Sequence, residues 1–147
     1  MSDAALEGLY AAPIREHARR PRHRARLECA GLTARGDNPL CGDRVEVFLE
    51  MRDGRIARAA FLGRGCDVSQ ASADMMAGAM HGLDAASARA LADQVKRMAR
   101  SGDAAGVPEE LAALAAAARF PSRVKCATLP WVTLEAALDG AREASSE

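Results

Sequence analysis

"DRVEVFLEMRDGRIARAAFLGRGC", residues 43–66, decides the fold of this 147-residue chain. Val45, Val47, Leu49 and Met51 fall on alternate positions, the period of a strand with one buried face. Asp53-Gly54 is a hairpin dipeptide, because both central residues of the tightest turns need positive φ. "RIARAAFLG" (55–63) returns as the second strand. Past the Gly63 and Gly65 pair the period lengthens. From Val68, the residues Ala71, Ser72, Met75, Met76, Ala79 and Met80 lie on one helical face, and Gly82 is a natural stop. A hairpin feeding an amphipathic helix predicts an α+β fold.

Outward from that stretch, a third strand is expected around 26–34, with Gly36–Pro39 read as turn formers. Downstream, Asp84 caps a helix whose apolar stripe is Leu91, Val95 and Met98, ending near Gly102. Pro108 suits the first position of a short helix running to about Arg119. A last helix carries Trp131, Leu134 and Leu138. Pro130 cannot donate to the carbonyl of Cys126, so this helix is expected to start near Ala127 with Cys126 at its mouth. Residues 4–18 carry helical spacing through Leu6, Leu9, Ile14 and His17, interrupted by Pro13, and "REASSE" (142–147) reads as a frayed tail. The expectation is one domain over residues 1–147: a small antiparallel sheet of about three strands packed against helices.

Twenty basic and twenty acidic residues leave no net charge to recruit nucleic acid or a membrane surface. The Arg-rich run "REHARRPRHRAR" (15–26) lacks interleaved aromatics, so it reads first as a solvated face and second as a docking surface for an acidic partner. No apolar run approaches the ~20 residues needed to span a bilayer, and no signal-peptide core is present. A cytoplasmic location is expected. There, thiols stay reduced, and the four cysteines read as metal ligands or reactive groups rather than disulfides.

Three of those cysteines fall at element junctions. Cys41 lies in the turn before the first hairpin strand, Cys66 between the second strand and its helix, and Cys126 at the expected mouth of the last helix. Residues two apart in extended backbone point to one side, so Cys41 and Asp43 can reach one ion together. With Cys66 and Cys126 they make four ligands, the number a tetrahedral zinc site takes. A carboxylate among thiolates gives a site more easily opened than an all-cysteine one. Cys66 gains further from a helix N-terminus, which favours thiolate. Cys29 has no ligand-like neighbour and reads as packing. His17, His23 and His81 read as surface or core residues, although His17 or His81 could approach the site.

Three segments then carry a resemblance. "NPLCGD" (38–43), "GRGCDVSQASADMM" (63–76) and "RVKCATLPW" (123–131) resemble, in order, the cysteine motifs of the IscU/NifU N-terminal family, and most of all its SufU branch. "LYAAPIREHARRPRH" (9–23) is similar to the N-terminal segment of that branch. Lys125 stands where IscU-like chains have a histidine, and the stretch from Cys66 to Cys126 is longer than theirs. Asp74 stands where serine is more typical of SufU, and Pro130 also departs from the pattern.

The resemblance implies an IscU/NifU-N-like fold and a zinc-dependent sulfurtransferase of iron–sulfur cluster assembly. Cys41 would accept persulfide sulfur from a SufS-type, pyridoxal-phosphate-dependent cysteine desulfurase. Cys41, Asp43, Cys66 and Cys126 would hold Zn2+, and the SUF cluster scaffold would receive the sulfur. The alternative is a scaffold that assembles a transient iron–sulfur cluster on the same cysteines. A zinc-stabilised adaptor with no chemical step is a third reading, and it leaves the labile carboxylate ligand without a purpose.

Overall fold

The alternating stretch folds where its period places it. The computed structural model of the chain describes residues 12–39 and 41–145. Strands β1 (Leu32–Asn38), β2 (Asp43–Arg52) and β3 (Arg55–Arg64) form an antiparallel meander. Asp53 and Gly54 both take positive φ (54° and 77°), so the hairpin is closed by the turn whose twist matches its strands. Val45, Val47 and Leu49 are fully buried beneath it.

Two sheet expectations are corrected. The first strand begins at Leu32, not near 26, and runs through Gly36 to Asn38, which pairs with Asp43. Gly36 is therefore no turn residue. A methyl group there would overlap Thr133 Oγ1, so the glycine lets the last helix lie close on the strand. The tail, read as frayed, supplies β4 (Glu143–Ser145), parallel to β1. Gly140, at φ 77°, lies in the turn after the last helix, and the Arg35 N–H then donates to Arg142 O at 2.8 Å. Pairing satisfies part of an edge that would otherwise stand open. The sheet is thus four-stranded and mixed, in the order β3-β2-β1-β4.

The helices are α1 (Ala12–Arg19), α2 (Asp67–Met80), α3 (Ala85–Ser101), a 3₁₀ helix (Glu109–Arg119) and α4 (Pro121–Leu138). Of the expected 4–18 helix, residues 4–11 lie outside the described residues. Asp84 caps α3 through Ser87 N–H at 2.8 Å, and Gly102 ends it in the left-handed conformation. Pro108 caps the 3₁₀ helix from just outside rather than opening it. Leu111, Leu114 and Ala117 are its buried residues, and their spacing of three matches the three-residue turn of a 3₁₀ helix.

Cys126 is not at the mouth of α4. That helix opens at Pro121, whose locked φ suits a first turn, and continues through Pro130. An internal proline costs about 3 kcal/mol. Burial of Leu129, Trp131 and Leu134, each at about 2 kcal/mol, offsets it. Ser72 reinforces the crossing of α2 and α4 by donating to Ala127 O at 2.6 Å and accepting from Trp131 Nε1 at 3.0 Å.

Asp74 has a role that its sequence context does not announce. It is buried in α2, and its Oδ1 accepts the backbone N–H groups of Arg22 (2.9 Å) and His23 (2.8 Å). Its Oδ2 lies 2.7 Å from His17 Nδ1. Each hydrogen bond to a charged group contributes roughly 1.5–3 kcal/mol. The backbone of the Arg-rich segment is thereby fastened to α2, while Arg22, Arg24 and Arg26 remain exposed. On the far face of the sheet, Leu27 covers Phe48 and Ala60, and Arg26 sits 5.2 Å from the Phe48 ring centroid. Among the described residues, no helix is long and apolar enough to cross a membrane.

Candidate metal centre

The four sequence-derived ligands lie at one end of the sheet, each held differently. Cys41 sits in the loop joining β1 to β2, where its N–H and that of Gly42 both donate to Asn38 O. It is in a turn rather than extended backbone, and it is exposed. Asp43 opens β2 and is only 2 % exposed. Cys66 is the N-cap of α2, its sulfur accepting the Ser69 N–H at 3.5 Å. Cys126, in the second turn of α4, is fully buried, with its sulfur 3.5 Å from Ser122 O.

The ligand atoms of Cys41, Asp43 and Cys126 all lie within 4.8 Å of one another. Cys66 adjoins this group: its sulfur is 3.7 Å from Asp43 Oδ2, and its N–H donates to Asp43 Oδ1 at 2.9 Å. Gly65 makes that contact possible. Its φ of 143° suits only glycine, and a methyl group there would overlap the Asp43 carboxylate.

Proton placement follows from the same contacts. The Cys66 thiol is lowered to about 6, first by a hydrogen bond from Cys126 and then by the Ser69 N–H, against burial and the nearby Asp43 charge. Cys126 is pushed up, first because it is the donor of that bond and then by burial. An ordinary cysteine ionises near 8.5. In metal-free protein, iodoacetamide is therefore expected to alkylate Cys66 with a midpoint near pH 6, since the thiolate persists above the lowered value. Cys126 should stay unmodified at pH 8. A Cys66 midpoint near 8.5 would show that the pair does not share its proton in this way.

The donor set fits zinc. Ligands about 2.3 Å from a tetrahedral ion place sulfurs about 3.8 Å apart, a modest contraction of the Cys41, Asp43 and Cys126 group, which Cys66 adjoins through Asp43. Other expectations fall away from the centre. His17 is engaged by Asp74 and His81 by Ala57 O at 2.9 Å. Cys29, expected to pack, is exposed. The sequence places Cys66 at the start of a helix but not as its N-cap, since cysteine is not among the usual capping residues.

Residues 9–138 match the family model of the NifU-like N terminal domain. The chain belongs to that family. It is 36% identical over 141 residues to the iron–sulfur cluster assembly scaffold protein IscU of Streptococcus pyogenes serotype M1, covering 94% of this chain and 87% of that protein. Identity to the zinc-dependent sulfurtransferase SufU of Bacillus subtilis (strain 168) is 33% over 135 residues, covering 90% and 91%. In three dimensions the chain resembles the N-terminal NifU-like protein of Brucella abortus, with a TM-score of 0.80 at 25% identity over 92% of this chain and 96% of that one. Membership of the NifU-like family places the chain in iron–sulfur cluster assembly. The two curated names divide on whether such a chain carries sulfur or builds a cluster.

Proposed function

We propose that the chain is a zinc-dependent sulfurtransferase that relays persulfide sulfur in iron–sulfur cluster assembly. The observation that carries this reading is the unequal burial of the centre. Cys41 is exposed on a loop, while Asp43 and Cys126 beside it are buried. A site built only to hold a metal gains nothing by leaving one thiol at the surface. A site that hands one thiol to a partner requires it.

In the transfer, the Cys41 thiolate attacks the outer sulfur of a persulfide on a SufS-type cysteine desulfurase. The new sulfur–sulfur bond forms on Cys41, the donor's own sulfur–sulfur bond breaks, and the donor cysteine leaves as thiolate. A second transfer of the same kind passes the sulfur to the SUF cluster scaffold. Zinc held by Cys41, Asp43, Cys66 and Cys126 would keep the thiols ionised at neutral pH. Asp43 keeps its place when Cys41 departs, because its carboxylate is anchored to the Cys66 N–H rather than to Cys41.

The second reading is a scaffold that assembles a transient cluster on the same cysteines, and the identity to the IscU protein supports it. Lys125 weighs against it, since lysine replaces the histidine that would be a further ligand. The test is alanine formation from cysteine by the cognate desulfurase, with this protein added zinc-loaded or metal-stripped. Acceleration by the zinc form alone supports the sulfurtransferase. No acceleration by either form, with iron and labile sulfide retained after anaerobic reconstitution, would favour the scaffold.

A further inference from the structure

The Arg-rich segment touches the metal centre through two buried side chains. Gln70, in the first turn of α2, is 9% exposed. Its Nε2 donates to Ser69 Oγ at 3.2 Å, and its Oε1 accepts from Arg24 Nη1 at 3.4 Å. Ser69 in turn holds Cys66 twice. Its hydroxyl donates to Cys66 O at 3.0 Å, and its N–H points to Cys66 Sγ at 3.5 Å. The orientation of the Gln70 amide is fixed from both ends, because the flipped form would aim an NH2 group at the guanidinium.

We propose that Gln70 is a positioning residue for the Cys66 arm, and that Arg24 is its outward handle, through which a partner's carboxylate loosens that arm. The proposal rests on the metal-site reading and adds to it a route by which docking reaches Cys66 as well as the exposed Cys41. Three observations support it. Arg24 is exposed, so a partner can reach it. Its bond to Gln70 is long, whereas a carboxylate offers shorter, charge-assisted and bidentate bonds that compete well against it. The backbone beneath Arg24 does not need to move. Asp74 fastens residues 22 and 23, and Phe61 bonds both neighbours, accepting from the Ala25 N–H at 3.0 Å and donating to His23 O at 3.0 Å. Only the side chain swings.

The experiment measures zinc release from loaded protein to a chromophoric chelator, for the parent, Gln70→Leu, Arg24→Ala and the double variant. Loss of an outer-shell partner costs about 10-fold in metal affinity, so Gln70→Leu is expected to release zinc about 10-fold faster. Arg24→Ala should release it faster to a smaller extent with an unchanged melting temperature, and the double variant no faster than Gln70→Leu. Hexaglutamate, as the acidic probe, should accelerate release from the parent and leave Arg24→Ala unaffected. Parent-like release from Arg24→Ala, additive effects in the double variant, or equal acceleration of parent and Arg24→Ala by the peptide would overturn the proposal. Should Gln70→Leu not fold, the exposed Arg24→Ala and the peptide still decide it. A parent that holds no zinc would defeat the metal-site reading instead. Alkylation of Cys66 in metal-free protein then tests the arm separately: both variants should change its rate, and an unchanged rate in both would overturn the positioning role.

Discussion

The Cys41→Ala protein is expected to give no acceleration of a cysteine desulfurase while melting within about 2 °C of the parent in its metal-free form. Exposure is the reason for the second half of that statement. Cys41 lies in a loop and belongs to no buried cluster, so its side chain contributes little to the core. Surface substitutions away from caps and buried networks usually shift stability by about 0.5 kcal/mol or less. The first half follows from the chemistry, since alanine offers no nucleophile. Loss of acceleration with the metal-free fold intact isolates a chemical step, which the adaptor reading lacks. Acceleration that survives the change would mean that Cys41 is not the acceptor. Collapse of the metal-free fold would show that the loop is structural, and the unequal burial on which the sulfurtransferase reading stands would lose its meaning.

How much of this was legible in the sequence depends on the range of the interactions. The hairpin was, because the alternation of Val45, Val47 and Leu49 and the Asp53-Gly54 turn are local and agree with each other. Caps at Asp84 and Gly102 were also local and legible. Cys41, Asp43 and Cys66 could be named as candidates because they stand among turn formers at element ends, whereas Cys126 was named from an expected helix mouth and lies inside α4 instead. What was not legible depends on partners distant in sequence. Gly36 looks like a turn former until Thr133 arrives against it from α4. Pro130 looks like a helix start until the burial of α4 is added up. The tail looks frayed until β1 offers it an edge. Asp74 is a lone buried acid in an apolar stripe, and its donors lie more than fifty residues earlier.

Gly65→Ala should lower zinc affinity by about 10- to 100-fold without removing any ligand. Position 65 adopts φ 143°, where a side chain is strained by about 1–3 kcal/mol. The added methyl would also stand in the space of the Asp43 carboxylate and approach Asp43 Cα to 3.0 Å. Neither the carboxylate nor the strand beneath it can give way cheaply, because Asp43 is buried and paired with Asn38. The carboxylate must rotate off, and the bond from the Cys66 N–H to Oδ1 goes with it. One substitution therefore disturbs two of the four proposed ligands at once. Competition for zinc against a chelator of known affinity measures the loss, and circular dichroism confirms that the fold persists. Should the variant hold zinc as tightly as the parent, Asp43 is not a ligand. The centre would then be a three-cysteine site, with no carboxylate to keep it openable.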